Sequence, residues 1–261
     1  MKRVVVISDQ HCGHMTGLTP TAWQTNGSNH AGKRAKLYAI QKEMWAWYAK
    51  TVKALQPISC LIVNGDAIDG KGNRSGGTEL ITTDLEEQCK IAEVAILHAK
   101  ADNVVLTYGT AYHTSPDGED WENVLAYNCG AKKIGSHEWI TVEGTTFDCK
   151  HHVGSSSIPH GRQTAISKEH LWAQLWEAKD LQPKSDIFIR SHVHYFTYCG
   201  GDGWLAMTTP PLQGMGTKYG SRRCSGLVDV GLTSFDCNKG GYSWQPHIAK
   251  LQKQKAHSIM L

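Results

Sequence analysis

Three short runs in the first half of the chain are apolar at nearly every position: 3–8 (RVVVIS), 59–63 (SCLIV) and 103–107 (NVVLT). A strand with one wet face alternates, whereas a continuous run of this length suits a strand buried on both faces. Between the runs the period changes. From Lys33 to Leu55, Leu37, Ile40, Met44, Tyr48 and Leu55 recur at helical spacing, with Trp45 and Trp47 widening the apolar face. Residues 84–99 form a second amphipathic pattern with acids in its first turn. Buried strands separated by helices predict a mainly parallel sheet with helices on its faces. Residues 9–32, rich in glycine, proline and asparagine, read as a long loop, and loops of that length usually serve function.

The second half changes character. WITVEGTTFDCKHHV reads as two strands around Glu143-Gly144-Thr145. A helix carrying Leu171, Trp172, Leu175 and Trp176 follows, its tryptophans expected in the core beside Trp45 and Trp47. A short strand at 187–191, a hairpin around Gly200-Gly201 and two C-terminal strands complete the pattern. No linker separates the halves, so residues 1–261 are expected to form one domain with two packed sheets.

Charge narrows the function. Lys+Arg 27 against Asp+Glu 24 leaves a net +3, too balanced for a protein that coats nucleic acid by charge alone. The eight cysteines contain no C-x-x-C pair, and several lie in apolar runs, where a free buried thiol is expected. The N-terminal apolar run lacks the features of a signal peptide, and no stretch is long enough for a membrane span. A cytoplasmic protein with no membrane partner is the expectation. Histidine is the outlier, with 14 in 261 residues.

Those histidines are partly organised. Asp9 and His11 follow the first strand, Asp66 the second and His113 the third; His151 and His152 end the FDCKHHV strand, and His192 and His194 follow IFIRS. Functional groups gather beyond the carboxyl ends of parallel strands, where loops diverge and leave a crevice. In Asp-x-His and His-x-His, period-two alternation of an extended chain places both side chains on one side. A mixed oxygen and imidazole set suits Mn, Fe, Zn or Ni rather than Ca or Mg. Two such ions can clamp a phosphoryl group and activate water as hydroxide. Asp66 is the candidate bridge between them.

The ordered set Asp9-x-His11, Gly65-Asp66-x-x-Asp69, Gly109 to His113, His151/His152 and His192-x-His194 resembles the calcineurin-like metallophosphoesterases over residues 4–194. The opening ISDQHCGHMTGLTP is similar to a branch common in phages and prophages. The resemblance implies a four-layer α/β/β/α sandwich of two mixed β-sheets flanked by helices. It implies two divalent metal ions, with Mn first among them. Asp9, His11 and His194 would hold one, His192 and one of His151 or His152 the other, with Asp66 bridging. His151 is favoured because the family ligand usually comes first after the strand. His113 would match the histidine that binds phosphate and protonates the leaving oxygen, with Asp69 supporting the site. The family pattern has Asn where this chain has Thr110, a poorer neutral ligand, so the second site is expected to be weaker or completed by water or His113. The acid that orients His113 is displaced as well, to Asp117, Glu119 or Asp120.

Around this set, His14 and Arg74 are candidates for substrate binding. Lys218, Arg222 and Arg223 form a possible phosphate-binding edge, and Trp23 could stack on a base. The function implied is hydrolysis of a phosphoester, with a phosphodiester favoured. Two alternatives remain open: a DNA or RNA nuclease of the same fold, supported by Trp23, Lys33, Arg34 and the 218–223 stretch, and a metal-holding regulatory protein without turnover. Nucleotide or nucleic acid is the partner class the first two readings share, and the oligomeric state is undetermined.

Overall fold

The structure is a computed structural model that describes residues 1–24, 33–113, 120–223, 226–255 and 258–260. The three apolar runs become β1 (Lys2–Ile7), β2 (Cys60–Asn64) and β3 (Val104–Thr107). They pair in parallel, side by side, and β4 (Lys133–Gly135) adds a fourth parallel strand. The intervening patterns are α1 (Lys33–Leu55) and α2 (Leu85–His98). Asp84 caps α2: its carboxylate accepts from the backbone N–H of Glu86 at 2.9 Å and Glu87 at 3.3 Å, two donors the helix itself leaves unpaired. A short helix, α3 (Glu122–Asn128), precedes β4; neither element stood out in the sequence, being only seven and three residues long.

The second sheet collects β5 (Glu138–Val142), β6 (Thr145–Cys149), β7 (Ile187–Arg190), β8 (Thr197–Gly201) and β9 (Trp204–Thr208), in the order β5-β6-β7-β9-β8. The hairpin joining β8 to β9 turns at Asp202-Gly203, where Gly203 has φ +76°, not at Gly200-Gly201. Helix α4 (Arg162–Glu177) connects β6 to β7. After the one-turn-and-a-half helix α5 (Lys218–Arg223), the chain returns to the first sheet. There β10 (Gly231–Asn238) lies antiparallel to β1, and β11 (Gly241–Ile248) closes the order β11-β10-β1-β2-β3-β4.

Alternation along the buried strands sorts their side chains between two cores. Val5, Ile7, Leu61, Val63 and Leu106 face α1, α2 and α3. Val4, Val6, Cys60, Ile62 and Val105 face the other way and meet Phe147, Ile187, Ile189 and Met207 of the second sheet. On the far side of that sheet, Phe188 and Ala206 pack on Ile166 of α4. Helices, sheet, sheet, helix: these are the four layers of two mixed sheets that the motif resemblance implied. The seven described cysteines are free thiols, and six of them are buried. No described helix is long and apolar enough to cross a membrane.

One core assignment fails. Leu171, Trp172, Leu175 and Trp176 of α4 are exposed, while Trp45 and Trp47 pack against the first core as expected. The inner face of α4 is made of smaller or polar groups instead, and helical spacing alone does not say which face turns inward.

The two sheets are held together by contacts such as the edge-to-face pair of Phe147 and Phe235, with centroids 5.1 Å apart. Phe147 is fully buried between them. Phe147→Ala should therefore cost about 3–5 kcal/mol of stability, read as a lowered urea midpoint with an unchanged slope.

Candidate metal centre

Every candidate ligand sits within four residues of the carboxyl end of a strand. β1 delivers Asp9 and His11, β2 delivers Asp66, β3 delivers Thr110, β6 delivers His151, and β7 delivers His192 and His194. The geometry of delivery differs from the expected alternation. Asp9, His11, Asp66, His192 and His194 all have left-handed backbone, with φ of 47°, 43°, 51°, 71° and 55°. For L-residues this region costs of order 1–2 kcal/mol each, and such residues cluster at functional sites. The two members of Asp-x-His and His-x-His thus converge through successive left-handed turns, not through an extended pleat. Cross-loop bonds hold the turns: Asp9 N–H to Gly65 O, and His11 N–H to Asp66 O, both at 3.0 Å.

Three groups of candidate donors overlap here among the described residues; two of them carry the six expected ligands, and His11, Asp69 and His113 form the third. In the first, Asp9 Oδ1 lies 3.2 Å from His194 Nε2, and His194 Nε2 lies 3.3 Å from His11 Nε2. In the second, Asp66 Oδ2 lies 3.0 Å from His151 Nε2, with His192 completing the set. The groups abut: Asp66 Oδ2 is 3.9 Å from His11 Nε2, and Asp9 Oδ1 is 3.9 Å from His151 Nε2. Within each group the donor atoms converge within 4.8 Å. Two fully buried carboxylates whose close neighbours are imidazole nitrogens form a donor set that fits divalent transition ions.

Thr110 stands inside the second group. Its hydroxyl donates to Asp66 Oδ2 at 3.1 Å and lies 3.1 Å from His192 Nδ1 and 3.4 Å from His151 Nε2. The oxygen is in position for the ligand role, but a hydroxyl is a weak neutral donor to a metal. His151, not His152, is the β6 residue of the site. Its Nδ1–H donates to Asn64 O at 2.7 Å, which turns Nε2 inward, whereas His152 is exposed with its ring against His192. His152 therefore drops out of the ligand set.

Hydrogen bonds behind the ligands orient them. Asp69 Oδ1 accepts from His11 Nδ1 at 2.9 Å, fixing the tautomer that presents Nε2 to the site. Asp69 also forms a candidate metal group with His11 and His113. His113 donates Nδ1–H to the carbonyl of Asp69 and leaves Nε2 3.7 Å from Asp66 Oδ2. Beside His113 a cavity of about 220 Å³ is lined by Tyr108, Thr110, Ala111, Asp120 and Ser136.

Two clips were not visible in the sequence. Glu122, at the start of α3, is buried and accepts from Gly109 N–H at 2.7 Å and Ala67 N–H at 3.0 Å, so one carboxylate ties the loop of Asp66 to the loop of Thr110. Gln88 of α2 accepts from Asp69 N–H at 3.1 Å and Gly70 N–H at 2.9 Å. No spacing rule links either residue to the motifs. Gly65 and Gly109 are required by space: a Cβ at Gly65 would enter the His151 ring, and one at Gly109 would enter the Asp66 carboxylate.

Other expected residues fall elsewhere. His14, the substrate-binding candidate, is buried, and its Nδ1 accepts from the Thr16 N–H at 3.0 Å. Trp23 packs against the first core and donates its indole N–H to Glu87, which leaves it unsuited to base stacking. The side chains of Arg74, Lys33, Arg34, Lys218 and Arg223, and residues Asp117 and Glu119, lie outside the described ones. Arg222 is exposed on α5.

Burial alone would push both carboxyls up. Burial raises Asp9, yet His194 and His151 outweigh it and hold it below its usual value. Asp66, equally buried, is driven well below the carboxylate range by His151 and His113. Conversely burial lowers His151, but Asp66 more than compensates and pushes it up to about 10. Without a metal, the second group is thus an ion pair whose proton sits where a metal would bind.

No family model matches the chain, and no curated protein matches it. Among solved structures it is similar to an archaeal phosphodiesterase, with 13% identity, 94% of this chain and 99% of that chain covered, and a TM-score of 0.47. It is also similar to wild-type Vps29 complexed with Zn²⁺ from Entamoeba histolytica, with 14% identity, coverage of 94% and 98%, and a TM-score of 0.45. A third is YfcE, a phosphoesterase from E. coli, with 10% identity, coverage of 90% and 88%, and a TM-score of 0.45. The fold that the motifs implied is the fold observed.

Two outcomes follow for metal binding. Because the proton on His151 must leave, affinity should rise as pH climbs towards about 10, and calorimetry in buffers of different ionisation heat should show proton release. Asp69→Ala, which frees the His11 ring, should weaken divalent-ion binding by about 10–100-fold, measured by the same titration.

Proposed function

We propose that this protein is a metal-dependent phosphoesterase acting at a dinuclear site, with a phosphodiester as its substrate. The observation that carries the reading is the pair of abutting ligand groups, with Asp66 of one 3.9 Å from His11 of the other. Asp9, His11 and His194 would hold one ion, His151, His192 and Thr110 the other, with Asp66 between them. Divalent ions bound there would supply Lewis acidity to the phosphoryl oxygens and lower the pKa of a water molecule. Mn is the first choice for a set mixing carboxylate and imidazole; Fe, Zn and Ni suit it too.

The protein's own contribution is orientation and a proton. Buried carboxylates and second-layer bonds hold five imidazoles in fixed rotations, so little reorganisation is needed when a phosphate arrives. His113 is the proton donor in this reading. In the metal-free site burial lowers its pKa, but Asp66 and Asp69 outweigh that and raise it. With Nδ1–H committed to the Asp69 carbonyl, Nε2–H faces the ligand groups and can pass a proton to a departing oxygen. The cavity beside His113 offers room for the leaving group. A nucleotide or nucleic acid is a phosphodiester of this class, although Trp23 no longer supports a base-stacking role.

The test is hydrolysis of bis(p-nitrophenyl) phosphate with added Mn²⁺. Asp66→Asn and His194→Ala should abolish turnover, and His113→Ala should lower it by about 10²–10⁴-fold while metal binding persists. Metal bound stoichiometrically without turnover on any phosphoester would instead support the regulatory reading. Equal turnover by wild type, Asp66→Asn and His194→Ala would remove the proposal.

A further inference from the structure

The outer face of α4 is inverted relative to an ordinary surface helix. Leu171 is 57% exposed, Trp172 60%, Leu175 56% and Trp176 44%. The helix then ends in a left-handed turn at Asp180, φ 57°, with Leu181 N–H bonded to Trp176 O at 3.1 Å and Asp180 N–H to Glu177 O at 2.8 Å. This terminating motif brings Leu181, 64% exposed, back alongside Trp176 and lengthens the stripe.

The helix cannot rotate to hide these residues. Its inner face is pinned by polar and stacking contacts. Glu169 Oε2 accepts from Arg190 Nε at 2.8 Å, and Gln163 Nε2 donates to Tyr198 O at 3.0 Å. Ser167 lies 3.3 Å from Cys199 Sγ, and the His170 ring stacks on Trp204 with centroids 3.8 Å apart and planes 5° apart. Ile166 is fully buried on the same side. The exposure of two tryptophans and three leucines is therefore built in, and the stripe is open to a partner.

We propose that this stripe is the interface of a two-fold homodimer in which α4 of one copy packs antiparallel across α4 of the other. Two observations favour a second copy. The first is area. At these exposures the five side chains present on the order of 500 Å² of apolar surface, near the upper end of what a lone monomer tolerates. A standard interface takes about 800 Å² from each partner, with a core about two-thirds apolar, so the stripe is the size of one such core. The second is self-complementarity, which a two-fold interface demands. The stripe repeats Leu-Trp one turn apart, at 171–172 and 175–176. An antiparallel pairing centred between residues 173 and 174 sets Leu171 on Trp176 of the other copy, and Trp172 on Leu175. The same register sets Lys168 opposite Lys179, with Asp180 the next residue along. The carboxyl end of α4 leads to the amino end of β7, opposite His192 and His194, so the dimer leaves the metal centre open. The proposal does not depend on the phosphoesterase reading.

Sedimentation velocity or light scattering on the full chain decides it. Wild type should show twice the 28.8 kDa chain mass. Trp172→Glu combined with Leu175→Glu should give a monomer with an unchanged far-UV circular dichroism spectrum. Tyr127→Glu, at an 87% exposed position on α3, should stay dimeric. Leu175→Ala should raise the dimer dissociation constant by about tenfold, a milder change that leaves the fold intact. A wild-type monomer up to the highest soluble concentration would overturn the proposal, as would a dimer that survives the double substitution. Monomeric wild type that binds anionic vesicles through this stripe would overturn it in favour of a membrane surface.

Discussion

The site turns on the carboxylate of Asp66. It is almost fully buried, it accepts from the backbone N–H of Thr110 at 2.6 Å and from the Thr110 hydroxyl, and it pairs with His151. An isolated buried carboxylate would be protonated, since desolvation disfavours charge. Here the imidazoles of His151, His113 and His11 reverse that preference and keep it ionised. The loops of β1, β2, β3 and β6 are thus all positioned against one negative charge. Removing it would leave His151 with only the more distant Asp9 carboxylate, 3.9 Å away, so Asp66→Asn acts on the site's electrostatics and not only on one ligand.

Holding that carboxylate in place carries a backbone cost. Five left-handed ligands at about 1–2 kcal/mol each amount to a sizeable fraction of a typical domain's net stability. The offset comes from ordinary hydrogen bonds between loops. Glu122 joins Ala67 to Gly109, Gln88 holds Asp69 and Gly70, and Asn64 Nδ2 donates to Ser191 Oγ at 2.6 Å beneath His192. Each bond is modest in net terms, but a buried N–H left unmade costs about 1–3 kcal/mol. Together they hold strained turns that would otherwise relax towards ordinary backbone.

Legibility in the sequence followed the range of the physics. Val4 to Ile7 announced a buried strand because alternation with two hidden faces leaves a local record. The order of Asp9, His11, Asp66, His151, His192 and His194 was readable because each ligand lies a step or three past an apolar run. Choosing His151 over His152 came from the motif resemblance; the physical reason, the bond from its Nδ1 to Asn64 O, joins residues 87 apart. Glu122 and Gln88 were silent for the same cause: a carboxylate or amide that serves two distant N–H groups leaves no periodic trace. The left-handed turns were hidden too, since Asp and His favour φ > 0 far less than glycine does.

Helix α4 shows the limit most sharply. Its apolar spacing was correctly helical, yet the inference that tryptophans point inward assumed that burial within one chain decides orientation. Arg190 overrides it. This guanidinium is fully enclosed, donating to Asp148 Oδ1 at 2.7 Å as well as to Glu169. A buried cation without its partners costs several kcal/mol, comparable to or more than hiding a single large apolar side chain returns. Glu169 therefore stays at the sheet, beside the inner face formed by Ile166, His170 and Ala173, and Leu171, Trp172 and Leu175 lie on the outside. The same arginine directly precedes Ser191 and His192, so the ion pair that turns the apolar stripe outward also anchors the strand end that presents two candidate metal ligands.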